Sequence, residues 1–233
     1  MVRGDRSDSS DGGGDRSDSS DGYTQARERM VSGLARREEF DESTLDALRA
    51  VPRHEFVPPS RRGRAYEDRP LPIGSDQTIS APHMVAAMVD LLDLDPGERV
   101  LEVGTGCGYH AAVTAEAVGP ENVHSVEYHD SLAASARERL AALGYGAVSV
   151  RTGDGREGWP ERAPYDAAYL TCAPSEFPDA VVEQVRPAGR LLAPLETSDR
   201  SGSQRLVFAR RRADGSLGRE SHGRVRFVPM QED

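Results

Sequence analysis

The sequence predicts an α/β fold: a mostly parallel sheet with helices on both faces and an antiparallel hairpin at its C-terminal edge. Three observations lead there. Short apolar strands alternate with helical segments between residues 99 and 194, the order that buries a parallel sheet on both sides. The first strand, Val100–Val103, runs into Gly104, Gly106 and Gly108 and then into Ala111, Ala112, Val113 and Ala115, which begin a helix. Two later strand-like runs straddle Asp214-Gly215, a hairpin signal.

The elements follow in order. Residues 4–12 read GDRSDSSDG and residues 14–22 repeat the same nine letters. A segment without apolar residues cannot offset the entropy of ordering, so 1–22 reads as a disordered acidic tail. An EF-hand loop does not fit, because its glycine and closing glutamate fall at other positions. Residues 23–233 read as one domain whose first part, 23–80, is a helical extension. Between Tyr23 and Ala50, Met30, Leu34, Leu45 and Leu48 have roughly helical spacing, and Ser43 suits an N-cap. Val51–Pro59 is extended or irregular, because its prolines block helix. Ala65–Ser80 is a long loop rich in Pro, Gly and Asp, a kind that is often functional. Ala81–Leu92 is a helix with Pro82 in its first position and Ser80 as its cap. Strands are expected near 99–103, 122–127, 147–151, 165–171 and 189–194, and helices near 107–118, 130–143 and 177–186. Leu132, Ala136, Leu140 and Leu143 share one face of the second of these helices, which Gly144 ends. Two last strands, near 204–210 and 223–229, form the hairpin.

Composition narrows the chemistry. The net charge is −10, and all 29 basic residues are arginine. Without lysine there is neither a P-loop lysine nor a Schiff-base mechanism. An acidic chain is poorly suited to phosphate-driven binding of nucleic acid; Arg61, Arg62 and Arg64, and the run Arg210–Arg212, read as solvated surface. Two cysteines, Cys107 and Cys172, are too few for a disulfide framework or a Cys-based zinc site. His54, His83 and His110 lack a surrounding ligand cluster, so no metal is expected and they read as packing or surface histidines. No apolar run reaches membrane-spanning length and the N-terminus is too polar for a signal peptide, which makes the cytoplasm the expected location.

The glycine turn carries the functional reading. A dinucleotide site uses G-x-G-x-x-G, whereas this chain has E-x-G-x-G-x-G, with Glu102 two residues ahead of Gly104. An acid beside the turn repels a pyrophosphate and suits a cationic ligand without phosphate. That favours S-adenosylmethionine over NAD. Glu127 ends the next apolar strand, about 20 residues beyond the glycines, the spacing of a ribose-binding carboxylate.

Four stretches together resemble the protein-L-isoaspartate O-methyltransferase family. They are Val51–Pro58, Ala65–Met84 with its Gln77-Thr78-Ile79-Ser80 segment, Val100–Ala112, and Gly153-Asp154-Gly155. The likeness spans residues 23 to about 230, and the Gln-Thr-Ile-Ser segment is its most specific part. It implies the Rossmann-like fold of S-adenosylmethionine-dependent methyltransferases. It also implies methyl transfer to the α-carboxylate of isoaspartyl residues in damaged proteins, whose ester collapses to a succinimide that can reopen to aspartate. On the matching positions, Ser80 is the active-site serine, with Thr78 and Ile79 beside it on the substrate. Glu102, Gly104, Thr105 and Gly106 form the cofactor turn, Glu127 binds the ribose, and Asp154 with Gly155 meets the adenine edge. The expected partners are isoaspartyl-containing proteins and peptides, with no nucleic acid and no membrane, and the expected state is a monomer.

This chemistry is undemanding. A carboxylate is already ionised at neutral pH, so no strong general base is required, and rate comes from in-line positioning and exclusion of water. A serine hydroxyl and the N–H groups of a helix N-terminus suffice to hold the acceptor. Local alternatives stay open at three positions: Ser80 as a plain cap, Asp154 as a turn residue between glycines, and Glu102 as a backbone prop for its turn. Asp76 stands where the family usually has glycine, Cys172-Ala173-Pro174-Ser175 where it prefers alanines before a proline, and Glu196 where it usually has glycine. Asp76 and Glu196 motivate a second reading, methyl transfer to another carboxylate; a third, from another class, is a binding module that keeps the cofactor pocket without catalysis.

Overall fold

A computed structural model describes residues 15–197 and 202–231, with side chains from Asp21 onward. Helix α1 (Asp15–Ala35) buries Met30, Val31 and Leu34. It begins inside the second copy of the repeat, so residues 15–22 are its first turns rather than the expected unstructured tail. Once a packed segment has nucleated a helix, adding polar turns costs little. The first copy of the repeat lies outside the described residues. Helix α2 (Glu42–Ala50) buries Leu45, Ala47 and Leu48, and its N-cap is Asp41, not the expected Ser43. The proline-rich stretch then forms two 3-10 turns, Arg53–Phe56 and Pro59–Arg64.

The expected loop before Ser80 contains a hairpin of β1 (Leu71–Gly74) and β2 (Gln77–Ile79). Its two turn residues, Ser75 and Asp76, have φ of 50° and 56°. A tight hairpin demands that left-handed backbone, which accounts for a glycine in the family; aspartate is among the few side chains that tolerate it. Helix α3 (Pro82–Leu92) follows, with Pro82 in its first turn as expected.

The main sheet has seven strands: β3 (Val100–Val103), β4 (Val123–Glu127), β5 (Ser149–Thr152), β6 (Tyr165–Leu170), β7 (Val185–Glu196), β8 (Gln204–Arg211) and β9 (Leu217–Val225). They lie in the order β5-β4-β3-β6-β7-β8-β9. The five strands from β5 to β7 are parallel; β8 and β9 are antiparallel additions. Helices α4 (Tyr109–Val118), α5 (Asp130–Ala142) and α6 (Asp179–Gln184) connect them. Along β3 the side chains alternate between two cores: Val100 joins the cluster under α1–α4, and Leu101 and Val103 join the one that includes Val181 of α6. Several boundaries differ from expectation, two of them for a plain reason. Helix α6 ends at Gln184 because β7 begins at Val185. Strand β9 starts earlier than residue 223, because the Gly215 turn (φ 85°) returns the chain at once to pair Arg211 with Leu217. Among the described residues, no helix is long and apolar enough to cross a membrane.

Candidate active site

In a sheet whose order reverses beside β3, ligands gather outside the carboxyl ends of the central strands. A cleft of about 780 Å³ lies there, lined by residues from the ends of β3, β4 and β6. Gly104 (φ 98°) opens the turn after β3, and a Cβ on it would stand 2.3 Å from Thr171 Oγ1. That hydroxyl donates to the Gly104 carbonyl at 2.6 Å. The glycine is therefore required twice, by its backbone angle and by the approach of the chain after β6.

Glu127 closes the turn. Its carboxylate accepts the Gly106 N–H at 2.7 Å on one oxygen and the His129 N–H at 2.9 Å on the other. Though only 5% exposed, it lines the cleft, and each oxygen keeps capacity for a hydroxyl donor. Thr105 and Gly106 are on the same wall.

Glu102 is elsewhere. It is fully buried below the turn and does not line the cleft. Ser125 Oγ donates to it at 2.5 Å and Tyr169 Oη at 3.0 Å. Ser125 also pairs with Thr105, and Tyr169 with Thr114. Burial raises its pKa to about 8, with the neighbouring Glu127 adding to the effect. At neutral pH Glu102 is mainly uncharged, so it is not the acid beside a cationic ligand that the sequence suggested; it holds β3, β4 and β6 together from beneath.

The Gly-Asp-Gly segment divides in a similar way. Gly155 lines the cleft, and a Cβ there would meet Val103 Cγ1 at 2.4 Å. Asp154 does not line it. Its carboxylate accepts the Arg156 N–H at 2.8 Å and pairs with the Arg156 guanidinium at 2.7 Å, and these contacts hold its pKa below the usual range. The turn reading of Asp154 is the one its geometry favours.

Thr78, Ile79 and Ser80 all reach the cleft. Ser80 is half-buried and is not the cap of α3: that position belongs to Ala81, and no side chain caps the helix. The serine precedes the cap by one residue, so its hydroxyl is not committed to the helix. Of the departures, Asp76 and Glu196 are exposed and outside the cleft, whereas Cys172 lines it. Burial raises the Cys172 thiol to about 12, so it stays protonated.

Several lining residues escaped the sequence reading: Tyr109 and His110 in the first turn of α4, Tyr128 and His129 after β4, and Thr171 after β6. Their positions just past strand ends are a usable signal. Val228–Gln231 also line the cleft. They arrive there because Ala173 bonds backbone-to-backbone with Val228 and Met230, which no local pattern announces. Among the described residues, no group of three or more His, Cys, Asp or Glu side chains is placed to hold a metal ion.

Comparison with known proteins gives this cleft its context. The model of the protein-L-isoaspartate(D-aspartate) O-methyltransferase family matches residues 25–233. The chain belongs to that family. It is 48% identical over 210 residues to protein-L-isoaspartate O-methyltransferase 2 of Archaeoglobus fulgidus, covering 90% of this chain and 94% of that one. It is 50% identical to the protein-L-isoaspartate O-methyltransferase of Halorhodospira halophila over 210 residues, covering 89% and 92%. A solved protein-L-isoaspartate O-methyltransferase superposes with a TM-score of 0.81 at 29% identity, over 88% of this chain and 66% of that chain. A putative one from Plasmodium falciparum in complex with S-adenosyl-L-homocysteine shares the fold at 22% identity, with a TM-score of 0.76 over 89% of this chain and 99% of that one. The resemblance read in the sequence therefore holds. With it stand the expected fold, the S-adenosylmethionine-dependent methylation of isoaspartyl carboxylates, and the cofactor.

Proposed function

We propose that this cleft binds S-adenosylmethionine along the glycine turn and an isoaspartyl carboxylate beside Ser80. The carrying observation is Glu127, a buried carboxylate that spans two backbone N–H groups on the wall of the cleft and keeps room for ribose hydroxyls. Gly104 and Gly155 let the chain pack closely around the cleft, where a Cβ would strike Thr171 or Val103, and so hold the wall against which the nucleoside lies. When bound, the cofactor supplies a methyl group whose C–S electrons stay on sulfur as the acceptor oxygen forms the new C–O bond.

The chain's own part is positional. Ser80 donates its hydroxyl to the acceptor carboxylate, and Thr78 and Ile79 shape its approach. Glu127 anchors the cofactor through the ribose, and Gly155 admits the adenine. No side chain has to move a proton, because the acceptor is already an anion. Cys172, held as a thiol, does not compete as a nucleophile. The two acids that motivated a different acceptor, Asp76 and Glu196, lie outside the cleft and give no ground for one. Isoaspartyl-containing proteins and peptides are the substrates on this reading, and the protein acts as a monomer in the cytoplasm. An acidic balance of −10 fits a partner other than nucleic acid.

The test is to incubate the protein with radiolabelled S-adenosylmethionine and an isoaspartyl peptide, without added metal. Base-labile label on that peptide, and none on its aspartyl isomer, is the expected result. Label on both, or on neither, removes the assignment.

A further inference from the structure

His110 is expected to be a packing or surface residue, but its surroundings do not satisfy it. It occupies the second position of α4, directly after the glycine turn, and is 6% exposed. Both ring nitrogens are shielded from solvent and have no hydrogen-bond partner among the described residues. The ring is held at an angle of 33° over Tyr169, with centroids 4.5 Å apart, and it lines the cleft with Ile79, Ser80 and Val85. Buried polar groups without partners are rare in folded proteins. Here one stands on the wall of a ligand site, at the end of a helix that favours anions.

We propose that His110 donates a ring N–H to a carboxylate held at the first turn of α4. Burial lowers its pKa to about 3, so at neutral pH the ring is uncharged and carries one N–H donor. A neutral donor orients a carboxylate without pairing a full positive charge against it. That matters in a reaction that consumes a carboxylate as its nucleophile. The inference rests on the methyltransferase reading, which brings two carboxylates to the cleft: one on the amino-acid end of the cofactor, the other on the isoaspartyl acceptor. The chemistry of recognition is the same for both.

Calorimetry and kinetics separate them. S-Adenosylhomocysteine carries the amino-acid end and 5′-methylthioadenosine lacks it. If the cofactor's carboxylate is the partner, His110→Phe weakens S-adenosylhomocysteine binding about tenfold or more and leaves methylthioadenosine binding unchanged. If the acceptor's carboxylate is the partner, S-adenosylhomocysteine affinity stays constant and KM for the isoaspartyl peptide rises by about the same factor. In either case His110→Gln, which retains a donor, recovers much of the loss. In the wild-type protein, the His110 ring ¹⁵N resonance shifts on adding S-adenosylhomocysteine but not methylthioadenosine in the first case, and only on adding peptide in the second. This measurement decides the matter even where the Phe variant fails to fold. A ring resonance unmoved by all three ligands, or both binding constants within about twofold of wild type in a folded His110→Phe variant, overturns the proposal. A wild-type protein that binds none of them contradicts the underlying methyltransferase reading instead.

Discussion

Replacing Ser80 by alanine separates a structural serine from a substrate-binding one, and the structure sets both magnitudes. Helix α3 takes Ala81 as its N-cap without any side-chain bond, so the hydroxyl of Ser80 is not what holds the helix end. Removing it should alter stability by less than about 0.5 kcal/mol. Were the serine a cap, the loss would be about 1 kcal/mol, and Tm would fall by about 2–4 °C for a chain of this size. The effect on catalysis is expected to be much larger. A hydrogen bond to a charged partner is worth about 1.5–3 kcal/mol, which translates into a fall in kcat/KM of roughly 10- to 150-fold. Differential scanning calorimetry gives the first quantity, peptide methylation the second, and titration with S-adenosylhomocysteine supplies the control. Cofactor affinity should stay within about twofold of wild type. A drop in Tm with parallel losses in cofactor affinity and turnover would refute the reasoning, as would kcat/KM unchanged within about twofold.

Three other variants probe the rest of the site. Glu127→Gln places an amide nitrogen against one of the two backbone N–H groups that the carboxylate now accepts; S-adenosylhomocysteine binding should weaken about tenfold or more, and unchanged calorimetric affinity would rule out the ribose role. Gly155→Ala forces a Cβ to within 2.4 Å of Val103 Cγ1; a cost of about 1–3 kcal/mol in urea unfolding should accompany weaker cofactor binding, and a variant with both properties intact would show that the adenine does not pack there. Glu102→Gln tests the buried carboxyl through pH. In the unfolded chain Glu102 loses its proton near 4.5, whereas in the folded protein it keeps it to about 8. Its contribution to stability is thus complete below pH 4.5 and declines by about 1.4 kcal/mol per pH unit until it is gone above pH 8. Glutamine cannot ionise, so urea unfolding from pH 5 to 8 should show wild type losing stability relative to the variant. Parallel profiles would mean that Glu102 is not protonated in the fold.

Much of this architecture was legible because it is written in local order. The apolar strand, the alternating glycines and an acid at the end of the following strand are neighbours in sequence and remain neighbours in space. Glu102 shows how such a reading goes astray. It sits between Leu101 and Val103 in a strand buried on both faces, and burial there decides its protonation, whereas the sequence argument used its charge. Asp154 is hard to read for a different reason. An arginine two residues away satisfies its carboxylate, and short-range competition of that kind outweighs an inferred ligand. Ser80 was displaced from the cap by a single residue, since Pro82 fixes where the helix begins and Ala81 takes the preceding position. The hairpin at Ser75-Asp76 was hidden because neither residue announces a left-handed turn as glycine does. Least visible was the wall made by Val228–Gln231, which depends on a segment crossing to Ala173 from a distant part of the chain.

That crossing also fixes when, during synthesis, the protein can first hold a ligand. Strands β3 to β6 belong to the first 170 residues and are free to assemble while the ribosome is still at work. The far side of the cleft arrives only with Val228 and its neighbours. Mass-action stabilisation by a ligand requires a site that exists, so a nascent chain depends on its apolar cores until Val228–Gln231 dock.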